Sequence, residues 1–223
     1  MGNVDAIAEG VAAALEGASV AREPGSAGTR RIEGRHRGMH VRAVVWYANG
    51  SHGWTVETNG AAPPLLLTVR RRRVGEESAV ASGAITDVGS GDPGIDRDWL
   101  VEGAPTETVR ALMDEEVRAR FGDNDVTVDV DGGKVRVSGA ATTFGAAEVT
   151  AGVETAAVVR GRLSRLAKEG GPPRAEADRA IADLRARREK TFARMSWPAR
   201  IVIVVVCLLL AAGVLGGLRG CLG

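Results

Sequence analysis

Eighteen consecutive residues, 201–218, read IVIVVVCLLLAAGVLGGL with no charge and no polar amide. A helix rises 1.5 Å per residue, so about this length is what roughly 30 Å of hydrocarbon requires. A buried core helix is the competing reading, but such helices are usually shorter and carry a polar stripe. The run is therefore expected to be a transmembrane helix over 200–219, with the lipid bilayer as partner of residues 201–218. Gly213 and Gly217 give a G-x-x-x-G spacing, a helix-helix packing face that makes a homodimer through the span an expectation.

Charge orients that anchor. Six basic residues (Arg185, Arg187, Arg188, Lys190, Arg194 and Arg200) precede the run, and Arg219 alone follows it. By the positive-inside rule the N-terminal part faces the cytoplasm of a single-pass inner (cytoplasmic) membrane protein. Over the whole chain 29 basic residues oppose 28 acidic ones, so no nucleic acid partner is expected. No basic segment followed by an apolar core opens the chain, and both cysteines, Cys207 and Cys221, lie in or after the apolar run. The preceding part thus reads as a domain without disulfides, as in a reducing compartment.

The rest reads as an α+β domain, an antiparallel β-meander packed by two helices. A weak alanine-rich helix is expected over 3–21, within an N-terminal helix and linker at 1–29. The clearest local signal is Asn49-Gly50 between MHVRAVVWYA and SHGWTVETN, a type I′ hairpin turn. That register sets Tyr47 against His52, Val45 against Trp54, Ala43 against Val56 and Val41 against Thr58. Arg42 then opposes Glu57 on the other side, and a slip of one residue destroys both matches. Strands over 31–37 and 65–71 are expected to extend the hairpin into a meander. A strand running through Ile95, Trp99 and Val101, a helix over 105–121 with the stripe Val109, Leu112, Met113, Val117 and Phe121, a valine hairpin (Val126, Val128, Val130; Val135, Val137) and a long helix over 144–168 complete the domain at 30–171. A charged helix over 174–196 reads as a basic juxtamembrane stalk at 172–199.

The order of meander, Ser90-Gly91-Asp92 turn, Ile95-Asp96, helix, valine hairpin and long helix resembles a group of uncharacterised bacterial membrane-associated proteins. They share a β-rich domain of unknown function with a Ser/Thr-Gly-Asp … Phe/Ile-Asp signature. The resemblance covers about residues 30–168 and implies a membrane-associated bacterial protein, with no activity to carry over.

Three sets of residues carry chemistry worth weighing. Arg70, Arg71, Arg72 and Arg73 form a run suited to lipid or phosphate binding; the plainer reading is a solvated strand end, because no aromatic residue is interleaved in the sequence. Asp92, Asp96 and Asp98 offer oxygens for a divalent ion but match only fragments of a calcium loop; a turn at Asp92-Pro93-Gly94 explains them as well. His36, His40 and His52 fall at separate places in the strands and lack a cysteine to complete a zinc site. No nucleophile elbow, P-loop or dinucleotide fingerprint occurs. The expectation is thus a cytoplasmic interaction or scaffolding module with an unknown protein partner, no catalytic residues and no cofactor. Its rivals are a divalent-ion-dependent enzyme or sensor using Asp92, Asp96 and Asp98, and a module binding anionic lipid.

Overall fold

The computed structural model describes residues 4–24, 26, 28–48, 51–83, 85–121, 125–141 and 144–194. In chain order the elements are α1 (Val4–Ala13), β1 (Glu16–Arg22), β2 (Thr29–His36), β3 (Met39–Ala48), β4 (Ser51–Asn59), β5 (Leu66–Arg71), α2 (Glu76–Ala81), α3 (Pro93–Asp98), β6 (Trp99–Ala104), α4 (Thr106–Leu112), α5 (Glu115–Arg118), β7 (Val126–Asp131), β8 (Lys134–Ala141), α6 (Ala146–Glu169) and α7 (Arg174–Arg194). The protein is α+β, built on one eight-stranded antiparallel sheet of order β1-β2-β3-β4-β8-β7-β5-β6. The chain divides into two units, the first ending at Leu184 and the second beginning at Arg185.

The β3–β4 hairpin has the register that its alternating side chains dictate, from Val41↔Thr58 through Arg42↔Glu57 to Tyr47↔His52. Its turn, Asn49-Gly50, lies outside the described residues. Alternation puts Val41, Ala43, Val45, Trp54 and Val56 on one face, where they join Val128, Val130, Val135 and Val137 of the second hairpin in the buried core. Helix α6 covers this face with Val149, Val153, Ala156, Val159 and Leu163, and α1 adds Ile7, Ala8 and Val11. Glycines set the closest approaches. The Trp54 indole occupies the space that side chains at Gly139 and Gly152 would need, with ring atoms 2.4–2.8 Å from the positions their Cβ atoms would take.

Several expectations change. The helix expected over 3–21 stops at Ala13, and 16–22 instead form the edge strand β1, paired to β2 with an irregularity between Glu16 and Ser19. Only the first part carries an apolar stripe; the second is mostly exposed and is held by backbone pairing. The meander does not continue from β4 into β5. β4 pairs with β8, while β5 lies between β7 and β6. The 60–65 connection makes this possible: Gly60 donates its N–H to the Gly133 carbonyl at 3.0 Å, so the β7–β8 turn meets the end of β4. A Cβ on Gly133 would sit 2.1 Å from the Gly60 carbonyl oxygen. Buried Arg160 of α6 donates to the Ala61 carbonyl at 2.6 Å, and desolvation pushes its pKa down.

The strand expected through Ile95 begins only at Trp99. Asp92 accepts hydrogen bonds from the N–H groups of Gly94 and Ile95 and caps α3, with Pro93 in its first turn. The helix expected over 105–121 is broken at Met113, and Asp114 starts α5 by accepting from the Val117 N–H. Its stripe (Val109, Leu112, Met113, Val117 and Phe121) is nevertheless wholly buried. Helix α7 is more than a stalk in its first half. Ala180, Ile181 and Leu184 pack on Leu66 and Ala104, on the sheet face opposite α6.

Among the described residues no helix is long and apolar enough to cross a membrane. The expected span at 200–219, with Gly213 and Gly217, lies outside them.

Candidate functional site

An antiparallel sheet can bury one face and leave much of the other open, and here the face opposite α6, on which α7 packs at Leu66 and Ala104, otherwise carries an ordered polar pattern. The pairings align a row across all eight strands: Ser19, Glu33, Arg42, Glu57, Arg136, Asp129, Thr68 and Glu102. Opposite charges face one another directly at four successive steps from Glu33 to Asp129, the favourable arrangement for cross-strand neighbours. Glu57 is central. It meets Arg136 at 2.6 Å and Lys134 at 3.0 Å. Burial pushes its carboxyl up, but the hydrogen bonds and charges of Lys134 and Arg136 outweigh that, so its pKa falls below the ordinary value. Thr68 donates to Asp129 at 2.8 Å.

One step along the strands the pattern changes to small side chains, with Thr55 opposite Ser138 and Ser138 opposite Thr127. These short residues floor a depression of about 640 Å³, also lined by Trp46, Asp125, Asp129, Arg136, Gly139 and all four residues of the tetra-arginine run. The volume lies within the ~300–1,000 Å³ typical of small-molecule sites. Trp46 stands opposite Gly53 in the β3–β4 register. Its Cζ2, Cε2 and Nε1 atoms lie 2.3–2.9 Å from where a Gly53 Cβ would be. The indole therefore rests on the glycine by its ring face.

The tetra-arginine run divides by alternation. Arg70 makes a bidentate contact with Glu76 of α2, at 2.6 and 2.8 Å, the geometry that a guanidinium and a carboxylate favour. That contact, with the Arg73 N–H, holds the Glu76 carboxyl below the usual range, and Glu76 raises Arg70 further. Arg72 pairs with the nearly buried Asp87 and donates to the Asp96 carbonyl at 2.9 Å. Asp87 also accepts the N–H groups of Gly89 and Val101. Arg71 points to the other side and lies over the Trp99 ring, 5.3 Å from its centre, a cation–π distance. Arg73 is exposed. Two of the four are thus fixed by carboxylates, which keeps the wall of the groove in place.

The aspartates expected as metal candidates take structural roles. Asp92 caps α3, Asp96 accepts the Ser90 N–H at 2.5 Å, and exposed Asp98 pairs with Arg97 at 3.1 Å. The Ser-Gly-Asp … Ile-Asp stretch is in this light a loop lock: Ser90 is buried, its hydroxyl accepts the Asp92 N–H, and Arg118 donates to its carbonyl. Among the described residues no group of three or more His, Cys, Asp or Glu is placed to hold a metal ion. The histidines are dispersed. His36 meets Glu154 at 3.0 Å, while His52 packs between the Tyr47 and Phe144 rings.

Trp46 and Arg136 are the groove residues that sequence reasoning missed. The hairpin register already put Trp46 on the side of Arg42 and Glu57, so its place on the polar face was available. Its meeting with the arginine run was not, because that depends on β8 and β7 lying between β4 and β5. No protein-family model matches the chain, and no curated protein matches it significantly.

Proposed function

We propose that this chain is a binding module carried on a C-terminal membrane anchor, taking an anionic partner in the open-face groove. The observation that carries the reading is the meeting of Arg70, Arg72, Arg73 and Arg136 around one depression on a sheet face that α6 leaves uncovered. Two carboxylates, Asp125 and Asp129, share the lining. Arg70, Arg72 and Arg136 are each paired with a carboxylate, but a guanidinium has five N–H donors, so each keeps some for an anion beside exposed Arg73, while the two aspartates leave acceptors for its donors. The anchor rests on the uncharged run at 201–218 and its basic flank. By the positive-inside rule the module faces the cytoplasm from a bacterial inner membrane. An interaction role fits better than a divalent-ion enzyme, because Asp92 and Asp96 spend oxygens on backbone N–H groups and Asp98 is paired with Arg97.

The test is a titration of the full chain in detergent micelles with inorganic tripolyphosphate at increasing NaCl. Binding that weakens with salt, and weakens again in an Arg73→Ala/Arg136→Ala variant, supports the reading. No binding at low salt, or affinity indifferent to both arginines, overturns it. Resistance of the full chain to alkaline extraction from membranes, lost on deletion of 200–223, tests the anchor separately.

A further inference from the structure

We infer that the anionic partner is a nucleoside phosphate, with its base stacked on Trp46 and its phosphates on the arginine wall. The inference rests on the anion-binding reading above and adds the chemistry of the other end of the ligand. Three features of the groove ask for more than negative charge. First, Trp46 lies face-down on Gly53, so its opposite ring face is turned outward along the groove that it lines. A flat aromatic surface of this kind is what a nucleobase stacks on, whatever its sequence identity. Second, Asp125 and Asp129 line the same groove. On or just before β7, next to the arginine strand β5, they oppose a ligand that is anionic throughout and suit one that also brings hydrogen-bond donors, as ribose hydroxyls do. Third, the floor between the two ends consists of the hydroxyls of Thr55, Ser138 and Thr127, each able to donate or accept against a sugar.

The spacing is appropriate to a mononucleotide. Gly53, beneath the indole, is on β4, and Arg70 is on β5, with β8 and β7 between them. Three strand spacings make about 14 Å. A nucleobase, ribose and phosphate chain laid across the strands bridges that gap, whereas a bare phosphate reaches only the arginine end. Arg70 and Arg72 arrive already positioned by Glu76 and Asp87. A guanidinium has five N–H donors, so each keeps some for phosphate oxygens after its carboxylate is served. An acidic peptide would use the arginines but leave the indole face without a planar partner.

The experiment compares ATP, tripolyphosphate and adenosine by calorimetry on the full chain in detergent micelles, without added metal. ATP is expected to bind about tenfold more tightly than tripolyphosphate, the margin that one base-stacking contact supplies. Trp46→Ala removes that margin while leaving tripolyphosphate affinity in place, and Trp46→Phe, which keeps a stacking ring, restores most of it. Cooperative melting of both variants shows that the fold survives the change. Equal affinity for ATP and tripolyphosphate overturns the nucleotide inference, as does a margin that persists in folded Trp46→Ala; in both cases the anion-binding reading stands. Failure of both phosphates to bind overturns the two together.

Discussion

Trp54 and Trp46 occupy neighbouring strands, and each is laid over glycine, yet they do opposite work. Trp54 lies on the face covered by α6, with glycines on β8 and on the helix making room for its ring. It is 3 % exposed and fills the core. Trp46 has glycine beneath it and, among the described residues, no helix above it, so its second ring face lines a groove instead. The same local device closes a core when both sides are covered and makes a platform when only one is. The two faces of the sheet differ in the same way: one is a field of valines, the other a row of alternating charges beside a floor of hydroxyls.

The comparison can be broken or sharpened at four places. The largest effect is expected from Trp54→Ala, which should lower unfolding stability by about 3–5 kcal/mol, as large-to-small changes in cores do; chemical denaturation reads it directly. If Trp46→Ala costs as much, the open face is a second core and the distinction fails. Next, Asp87→Ala strips a nearly buried carboxylate from Arg72 and from two backbone N–H groups. A loss of about 3 kcal/mol is expected, because the buried cation and donors are left unpaired. A paired glycine test comes third. Gly152→Ala drives a methyl group against a ring that the core confines and should cost about 1–3 kcal/mol. Gly53→Ala presses on a ring that faces the groove rather than the core, so melting should move little while any ligand signal from Trp46 changes.

The smallest effect is expected at the charge row. Glu57 and Glu76 both have folded pKa values below the reference 4.5. Each binds its proton less readily in the folded chain than in the unfolded one. Their contribution is therefore whole above about pH 4.5 and disappears as the pH falls through the depressed folded values. Glu57→Gln should lower stability at pH 7 by only about 0.5 kcal/mol, because the pair is partly solvated. It should also flatten the acid limb of a stability-against-pH curve. An unchanged acid limb would mean that the row contributes nothing there.

How much of this was legible in the sequence differs from element to element. The β3–β4 register was fully readable, since Val45, Trp54, Ala43, Val56, Arg42 and Glu57 admit a single alignment. The buried stripe from Val109 to Phe121 was readable too, although the break at Asp114 was not: a cap within a helical period leaves the period intact. β1 was invisible because an edge strand held by its backbone needs no apolar alternation. The site was half legible. The arginine run stood out, but its division into clamped Arg70 and Arg72, stacked Arg71 and exposed Arg73 depends on Glu76, whose contact with Arg70 follows from the turn after β5, and on Asp87 and Trp99, which only the fold brings near. The aspartates misled for a related reason, since a carboxylate that caps a turn and one that binds a cation are the same letters.

The position of β8 has a consequence for how the chain is made. β1 to β4 form a run of consecutive hairpins that can pair as they leave the ribosome, and β5, β6 and β7 form another patch, but only the last strand joins them. Roughly 80 residues separate the end of β4 from the end of β8, so at typical synthesis rates the edge of β4 waits about 4–16 s for its partner. During that interval Val56 and Trp54 belong to an unfinished surface, and the nascent protein is most exposed to mispairing just before its sheet becomes continuous.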